Sequence, residues 1–178
     1  MTQYILSNKE MAKADLLTIE SGISSLDLMF NAGKKVFNNL PVQRGKRALF
    51  ICGPGNNGGD GYVAADLILK QGMEIDIYCP ISKAKESNDN LHYKQKLNKS
   101  LFVSKIRSLS NYCYVVDALF GTGLSRTMSN DLSSLVSKIN QSKLDVFSVD
   151  IPSGINGDTS AVLGEAFKAS KTITFFNK

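Results

Sequence analysis

Ala48-Leu49-Phe50-Ile51-Cys52 runs straight into Gly53-Pro54-Gly55-Asn56-Asn57-Gly58-Gly59-Asp60-Gly61, and from there into Tyr62-Val63-Ala64-Ala65-Asp66-Leu67-Ile68-Leu69-Lys70. A short run of apolar β-formers, a glycine-rich loop and a helical stretch, in that order, read as the opening of a β/α unit. So many glycines serve a backbone that turns sharply or comes close to a ligand. Main-chain amides at the start of the following helix suit an anion such as pyrophosphate.

The same rhythm repeats downstream. Strands are predicted at Ala48–Cys52, Glu74–Cys79, Tyr112–Val116, Asp145–Val149 and Thr172–Phe176, with extra pairing possible near Phe102; helices follow at Gly61–Lys70, Asn88–Asn98 and Ser129–Asn140. Continuous apolar strands alternating with helices imply a parallel sheet covered on both faces, since right-handed crossovers put helices there. Upstream, Ser7-Asn8-Lys9-Glu10 forms a capping box that opens a pattern through Met11, Leu16, Leu17 and Ile19. Gly22 breaks it, and Ser24 or Ser25 restarts it with Leu26, Leu28, Met29, Ala32, Val36 and Phe37 at helical spacing. The expected fold is α/β: a three-layer, Rossmann-like, mostly parallel sheet with helices on both faces and two N-terminal helices, all within one domain over 1–178.

Length and composition agree. A chain of 178 residues with 43% hydrophobic and 21% charged residues is long enough to bury a core and lacks the bias of disordered or collagenous sequences. No apolar run approaches the roughly 20 residues of a membrane helix, and no signal layout opens the chain, so the expectation is a cytoplasmic protein with no membrane partner. Cys52, Cys79 and Cys113 sit inside apolar or aromatic runs rather than at metal-ligand spacing and read as reduced core thiols. Segment 83–107 holds seven basic and two acidic residues, a surplus of five that equals the net charge of +5. With little aromatic interleaving beyond Tyr93 and Phe102, Lys94, Lys96 and Lys99 read as a solvated helix face and not as a nucleic-acid site.

In such sheets the ligand crevice lies beyond the carboxyl ends of the strands. Three loops there carry polar groups: the glycine loop with Asn56, Asn57 and Asp60; Asp117-Ala118-Leu119-Phe120-Gly121-Thr122-Gly123-Leu124-Ser125-Arg126; and Asp150-Ile151-Pro152-Ser153-Gly154. Gly53 to Gly58 fits the dinucleotide fingerprint literally, but Cys79-Pro80 stands where a ribose-binding acid belongs and Asp76 lies inside the strand, which argues against an ordinary dehydrogenase. Clustered carboxylates call for a raised pKa or a bound cation, here held by hard oxygens, because no His or Cys cluster accompanies them. Asp117 and Ser153 also fit plain helix capping and turn formation.

The three loops together, Cys52 to Gly61, Val116-Asp117-Ala118-Leu119-Phe120-Gly121-Thr122-Gly123-Leu124 and Val149-Asp150-Ile151-Pro152-Ser153-Gly154, resemble the signatures of the YjeF N-terminal domain family, the NAD(P)H-hydrate epimerases. The opening helices are similar too, through Asp15, Glu20, Gly22, Leu28-Met29 and Ala32-Gly33; Phe30 and Ser160 depart from the pattern. The resemblance implies an isomerase that interconverts the epimers of NADHX or NADPHX in cofactor repair. It implies substrate contacts at Asn56, Asn57, Gly58, Gly59, Asp60, Gly121, Thr122, Gly123, Leu124, Ser125, Arg126, Thr127 and Asp150, and potassium ligands at Asn57, Asp117 and Ser153. Asp150 is the expected acid/base group, the alternative being that it only orients the substrate. Beyond Thr172-Ile173-Thr174-Phe175 the family usually continues with another loop and strand, so truncation at that end is an expectation, as is an ADP-dependent dehydratase, fused or separate. A homodimer through the apolar N-terminal helices is a further expectation. The rival class is a non-catalytic binding or interaction module of the same fold.

Overall fold

The computed structural model describes residues 7–81 and 84–175. Two helices come first, α1 (Asn8–Glu20) and α2 (Ser25–Phe37), followed by β1 (Arg47–Cys52), α3 (Asn56–Lys70), β2 (Glu74–Tyr78), α4 (Asn88–Gln95), β3 (Tyr114–Ala118), α5 (Asn130–Asn140), β4 (Asp145–Val149) and β5 (Lys171–Ile173). The strands form one parallel sheet in the order β2-β1-β3-β4-β5. The chain reverses direction across the sheet between β1 and β3, and a crevice opens at such a switch point.

Side chains on alternate strand positions feed two cores. Ala48, Phe50, Val116 and Phe147 pack under α2, α3 and α4, while Leu49, Ile51, Val115 and Val146 pack against Val136 and Ile139 of α5. This makes the expected three layers, with α2 laid on α3 rather than on the sheet. Ser7 and Glu10 make the reciprocal capping box, and Ser24, Ser87 and Ser129 cap α2, α4 and α5. Cys52, Cys79 and Cys113 are all free thiols.

Several boundaries move, each for a tertiary reason. Helix α3 starts at Asn56, five residues earlier than the glycines suggest. Gly58 lies so close to the Gly53 carbonyl and the Asn90 amide that any Cβ there would collide with them, so this glycine permits helix-to-loop packing instead of a turn. Strand β3 begins at Tyr114 and runs through Asp117 to Ala118, because Tyr112 turns aside to donate its hydroxyl to Asp76 Oδ2 at 2.7 Å. Helix α4 stops at Gln95, so Lys94, Lys96 and Lys99 do not share one helix face: Lys94 pairs with Glu86, Lys96 lies over the Tyr93 ring, and Lys99 opens a short 3-10 turn. Strand β5 covers Lys171–Ile173 only, with Phe176 outside the described residues. The pairing expected near Phe102 is present as a parallel bridge to Ile77.

Candidate active site

Asp117 is the centre of the rim and is fully buried. Being inside β3, it faces Ser148 of β4 in register. Its Oδ2 accepts from Ser148 Oγ and from Ser153 N, both at 2.8 Å; its Oδ1 accepts from Ser153 Oγ at 2.6 Å and Leu119 N at 3.3 Å. Ser153 Oγ also accepts from Phe120 N at 2.8 Å, so this one pair ties the loop after β3 to the loop after β4. Burial pushes the Asp117 carboxyl up to about 6, against the pull of those four donors, and among the described residues no cation pairs with it.

Asp150 behaves differently. It follows β4 directly with φ +68°, a left-handed conformation that Asp and Asn tolerate better than most residues. Its main-chain N–H donates to Ile173 O at 2.8 Å, which pins the turn, while its Oδ2 accepts from Thr122 N at 3.0 Å. Burial raises its pKa, and the Thr122 amide opposes that only in part.

Gly121 lies between Asp150 and Asn57. A Cβ at Gly121 would stand 2.7 Å from Asp150 Oδ2 and 3.4 Å from Asn57 Oδ1, so glycine is what lets these two groups converge. Asn57 is 8% exposed, and among the described residues neither its amide oxygen nor its amide nitrogen has a hydrogen-bond partner. An orphaned buried amide costs about 1–3 kcal/mol, an expense that a bound ligand or ion would relieve. Asp60, three residues further along α3, is 7% exposed, and its carboxylate accepts no hydrogen bond among the described residues. Burial, together with the charges of Asp150 and Asp15, drives its pKa well above the ordinary carboxylate range.

These groups open into a cavity of about 760 Å³, within the roughly 300–1,000 Å³ typical of small-molecule and cofactor sites. Of the expected contact residues, Asn56, Asn57, Asp60, Gly121, Thr122, Gly123, Leu124 and Asp150 line it. Gly58 and Gly59 are buried behind it, Gly59 against the Met29 sulfur. Ser125, Arg126 and Thr127 lie exposed outside its wall. Asp117 and Ser153 are buried and do not line it.

Helices α1 and α2 supply the opposite wall, through Met11, Asp15, Ile19, Leu28 and Lys35 among others. Helix α1 is pinned at its start, where Asn8 Nδ2 donates to Thr122 O at 2.7 Å and Asn8 N to Asp158 Oδ1 at 2.8 Å. It buries no residue, and Leu16 and Leu17 on its outer side are 60% and 55% exposed. Composition gave no reason to look for site residues there. A signal existed in Asp15, an acid on the same helical face as Met11 and Ile19, and burial raises its pKa too.

Among the described residues no three His, Cys, Asp or Glu side chains converge as metal ligands. The donor set that could hold a cation is of another kind: the free Asn57 Oδ1, the Asp117 carboxylate, the Ser153 hydroxyl and the Phe120 carbonyl, all hard oxygens suited to an alkali ion. The orphaned Asn57 oxygen and the uncompensated charge of Asp117 both fit such an ion.

No described helix is long and apolar enough to cross a membrane. The chain is 37% identical to an NAD(P)H-hydrate epimerase of Oenococcus oeni, over all of this chain and 88% of that protein. It is 38% identical to a bifunctional NAD(P)H-hydrate repair enzyme of Thermofilum pendens, over 86% of this chain but 32% of that longer protein. The crystal structure of yeast YNL200c superposes with a TM-score of 0.79 at 23% identity, covering 96% of this chain and 79% of that one, and so shares the fold. The family model described as YjeF-related protein N-terminus matches residues 25–177, and the chain belongs to that family.

Proposed function

We propose that this protein is an NAD(P)H-hydrate epimerase, an isomerase that interconverts the R and S forms of NADHX or NADPHX. The observation that carries the reading is the convergence of Asp150 and the unpartnered Asn57 amide across Gly121, in a cavity whose wall includes the uncapped start of α3. The Asn56 and Asn57 amides there suit a dinucleotide's diphosphate. Relatives carrying this name cover nearly the same length.

Inversion at C6 of the hydrated ring requires the C–O bond to break with its electrons leaving on oxygen. The ring nitrogen lone pair stabilises the resulting cation, and water then returns to the other face. Asp150, its pKa raised by burial, gives a proton to the departing hydroxyl and takes one from the returning water. Asn57 fixes the substrate through its free amide, and α1 with α2 excludes bulk water from that side. A potassium ion held by Asn57, Asp117 and Ser153 would supply a fixed positive charge that joins the three loops. An ADP-dependent dehydratase, fused or separate, is the partner that this reaction serves. As a single domain placed in the cytoplasm, the protein would meet its substrate where the reduced cofactors are used.

The deciding experiment is an epimer-resolved chromatographic assay on purified protein with NADHX. Equilibration well above the spontaneous rate is expected. Equilibration at the spontaneous rate, with dinucleotide still bound, would make the protein a binding module instead.

A further inference from the structure

Resting on that reading of the site, we infer that Asp89 is a specificity residue that favours the dinucleotide with a free adenosine 2′-hydroxyl, NADHX, over its 2′-phosphorylated counterpart.

The order of groups along the cavity carries the argument. At one end Asp150 and Asn57 meet at Gly121. The uncapped amides of α3 follow at Asn56 and Asn57. Beyond them, the Asn56 side-chain oxygen accepts from Ser87 Oγ at 2.7 Å, and Ser87 caps α4, whose first turn bears Asp89. A second bond fastens the same junction, Ser87 N donating to Pro54 O at 3.0 Å. A dinucleotide with its hydrated ring at Asp150 and its diphosphate on the α3 amides therefore delivers its second ribose to the first turn of α4. Asp89 lines the cavity there, and among the described residues its carboxylate makes neither an ion pair nor a hydrogen bond.

A free carboxylate at the second ribose accepts from its hydroxyls, as the acidic residue of the dinucleotide-binding fold does, whereas a 2′-phosphate needs a cation in that place. Among the described residues the cation in this cavity wall is Lys35. Its carbonyl accepts from Asn39 Nδ2, and Asn39 Oδ1 accepts from Lys171 Nζ of β5, so the Lys35 backbone stands at the β5 end of α2, whereas the other end of that helix meets α4, Tyr93 Oη donating to Leu26 O. The remaining charged groups of the wall, Asp15, Asp60 and Asp150, are acids. A dianionic 2′-phosphate at Asp89 thus meets repulsion and, among the described residues of the wall, no counter-charge beside it. The carboxylate that the sequence lacks at the end of β2, where Cys79-Pro80 stands, is supplied from α4 through the Ser87–Asn56 tether.

The test compares kcat/KM for NADHX and NADPHX with the wild type, Asp89→Asn and Asp89→Lys, alongside melting temperatures. The wild type should prefer NADHX by roughly tenfold or more; Asp89→Asn should cut that ratio at least fivefold, and Asp89→Lys should invert it. A wild-type ratio near one overturns the inference. So does a ratio that survives both substitutions while only the melting temperature falls, which would leave Asp89 as a partner of the α4 dipole. Should neither hydrate be epimerised, the functional reading fails separately, and selectivity is then read from calorimetric binding of NAD+ and NADP+, where equal affinities overturn it.

Discussion

The two ends of the sheet treat buried aspartates in opposite ways. At the amino end, Asp76 of β2 is almost wholly buried, and every approach to it is occupied: Arg47 Nη1 donates to Oδ1 at 2.6 Å, while Arg107 Nε and Tyr112 Oη donate to Oδ2 at 2.8 and 2.7 Å. Burial alone would raise its pKa, yet these hydrogen bonds outweigh it and hold the carboxyl below the usual range. At the carboxyl end, Asp60 and Asp117 are buried and Asp150 is half-buried, none of them has an ion-pair partner among the described residues, and all three are pushed upward. A carboxylate paired with arginines holds the fold together. One that meets only neutral donors, as Asp117 and Asp150 do, is available to a substrate, a proton or an ion.

The largest expected effect breaks this contrast at the rim. Asp150→Asn keeps the left-handed turn, which Asn adopts readily, and removes the proton-transfer group. Epimerisation should fall by roughly 10²- to 10⁴-fold with the melting temperature nearly unchanged. If affinity for dinucleotide falls instead and the rate at saturation survives, Asp150 is an anchor and the mechanism above is wrong.

At the other end the signs exchange. Asp76→Ala strands two arginines and a tyrosine hydroxyl and should cost about 2 kcal/mol of unfolding free energy, a figure held down because Arg107 is half exposed. The rate per folded molecule should persist, as denaturant titration and the epimer assay would establish together. Asp117→Ala comes next in size. It orphans the hydroxyl of Ser148 and the amides of Ser153 and Leu119, and the loss of melting temperature should be greater in potassium chloride than in the salt of a large organic cation. An equal loss in both salts would leave Asp117 a structural cap.

The smallest expected effect is the pH dependence of the ligand-free protein. Carboxyls raised in the folded state, such as Asp117 at about 6 against an ordinary 3.8, take up protons before the unfolded chain does. Stability should therefore rise as pH falls from about 7 toward 5. Asp76, held low, works the other way: its contribution is present above the ordinary carboxylate range and lost as pH falls through its own depressed value. The curve of melting temperature against pH should show a maximum in mild acid. Asp117→Asn should flatten its neutral side, and Asp76→Asn should reduce the drop on its acid side.

Much of this was legible in the chain itself. Apolar runs of five or six residues, each ended by Gly, Asp, Asn or Pro, are local signals, and they located the strands to within a few residues and the three rim loops that follow β1, β3 and β4. The capping boxes and caps of the helices were equally local, because Ser7 and Glu10 meet three residues apart. What the sequence could not separate was the fate of similar residues. Asp117 and Asp150 both look like acids closing a strand, but β3 runs on through Asp117 and buries it among donors from β4 and its loop, while Asp150 stands past the end of its strand. The glycines of 53–61 look like one loop, but packing against Gly53, Met29 and Asn90 winds most of them into α3. Helix α1 and Asp89 joined the cavity only through bonds to residues far away in the chain, Asn8 to Thr122 and Ser87 to Asn56. Hydrophobic period and capping are properties of a few consecutive residues, so the sequence by itself determined the elements and their order. Burial, charge compensation and the facing of one loop toward another depend on partners from 28 to 150 residues distant, and those only the tertiary structure decided.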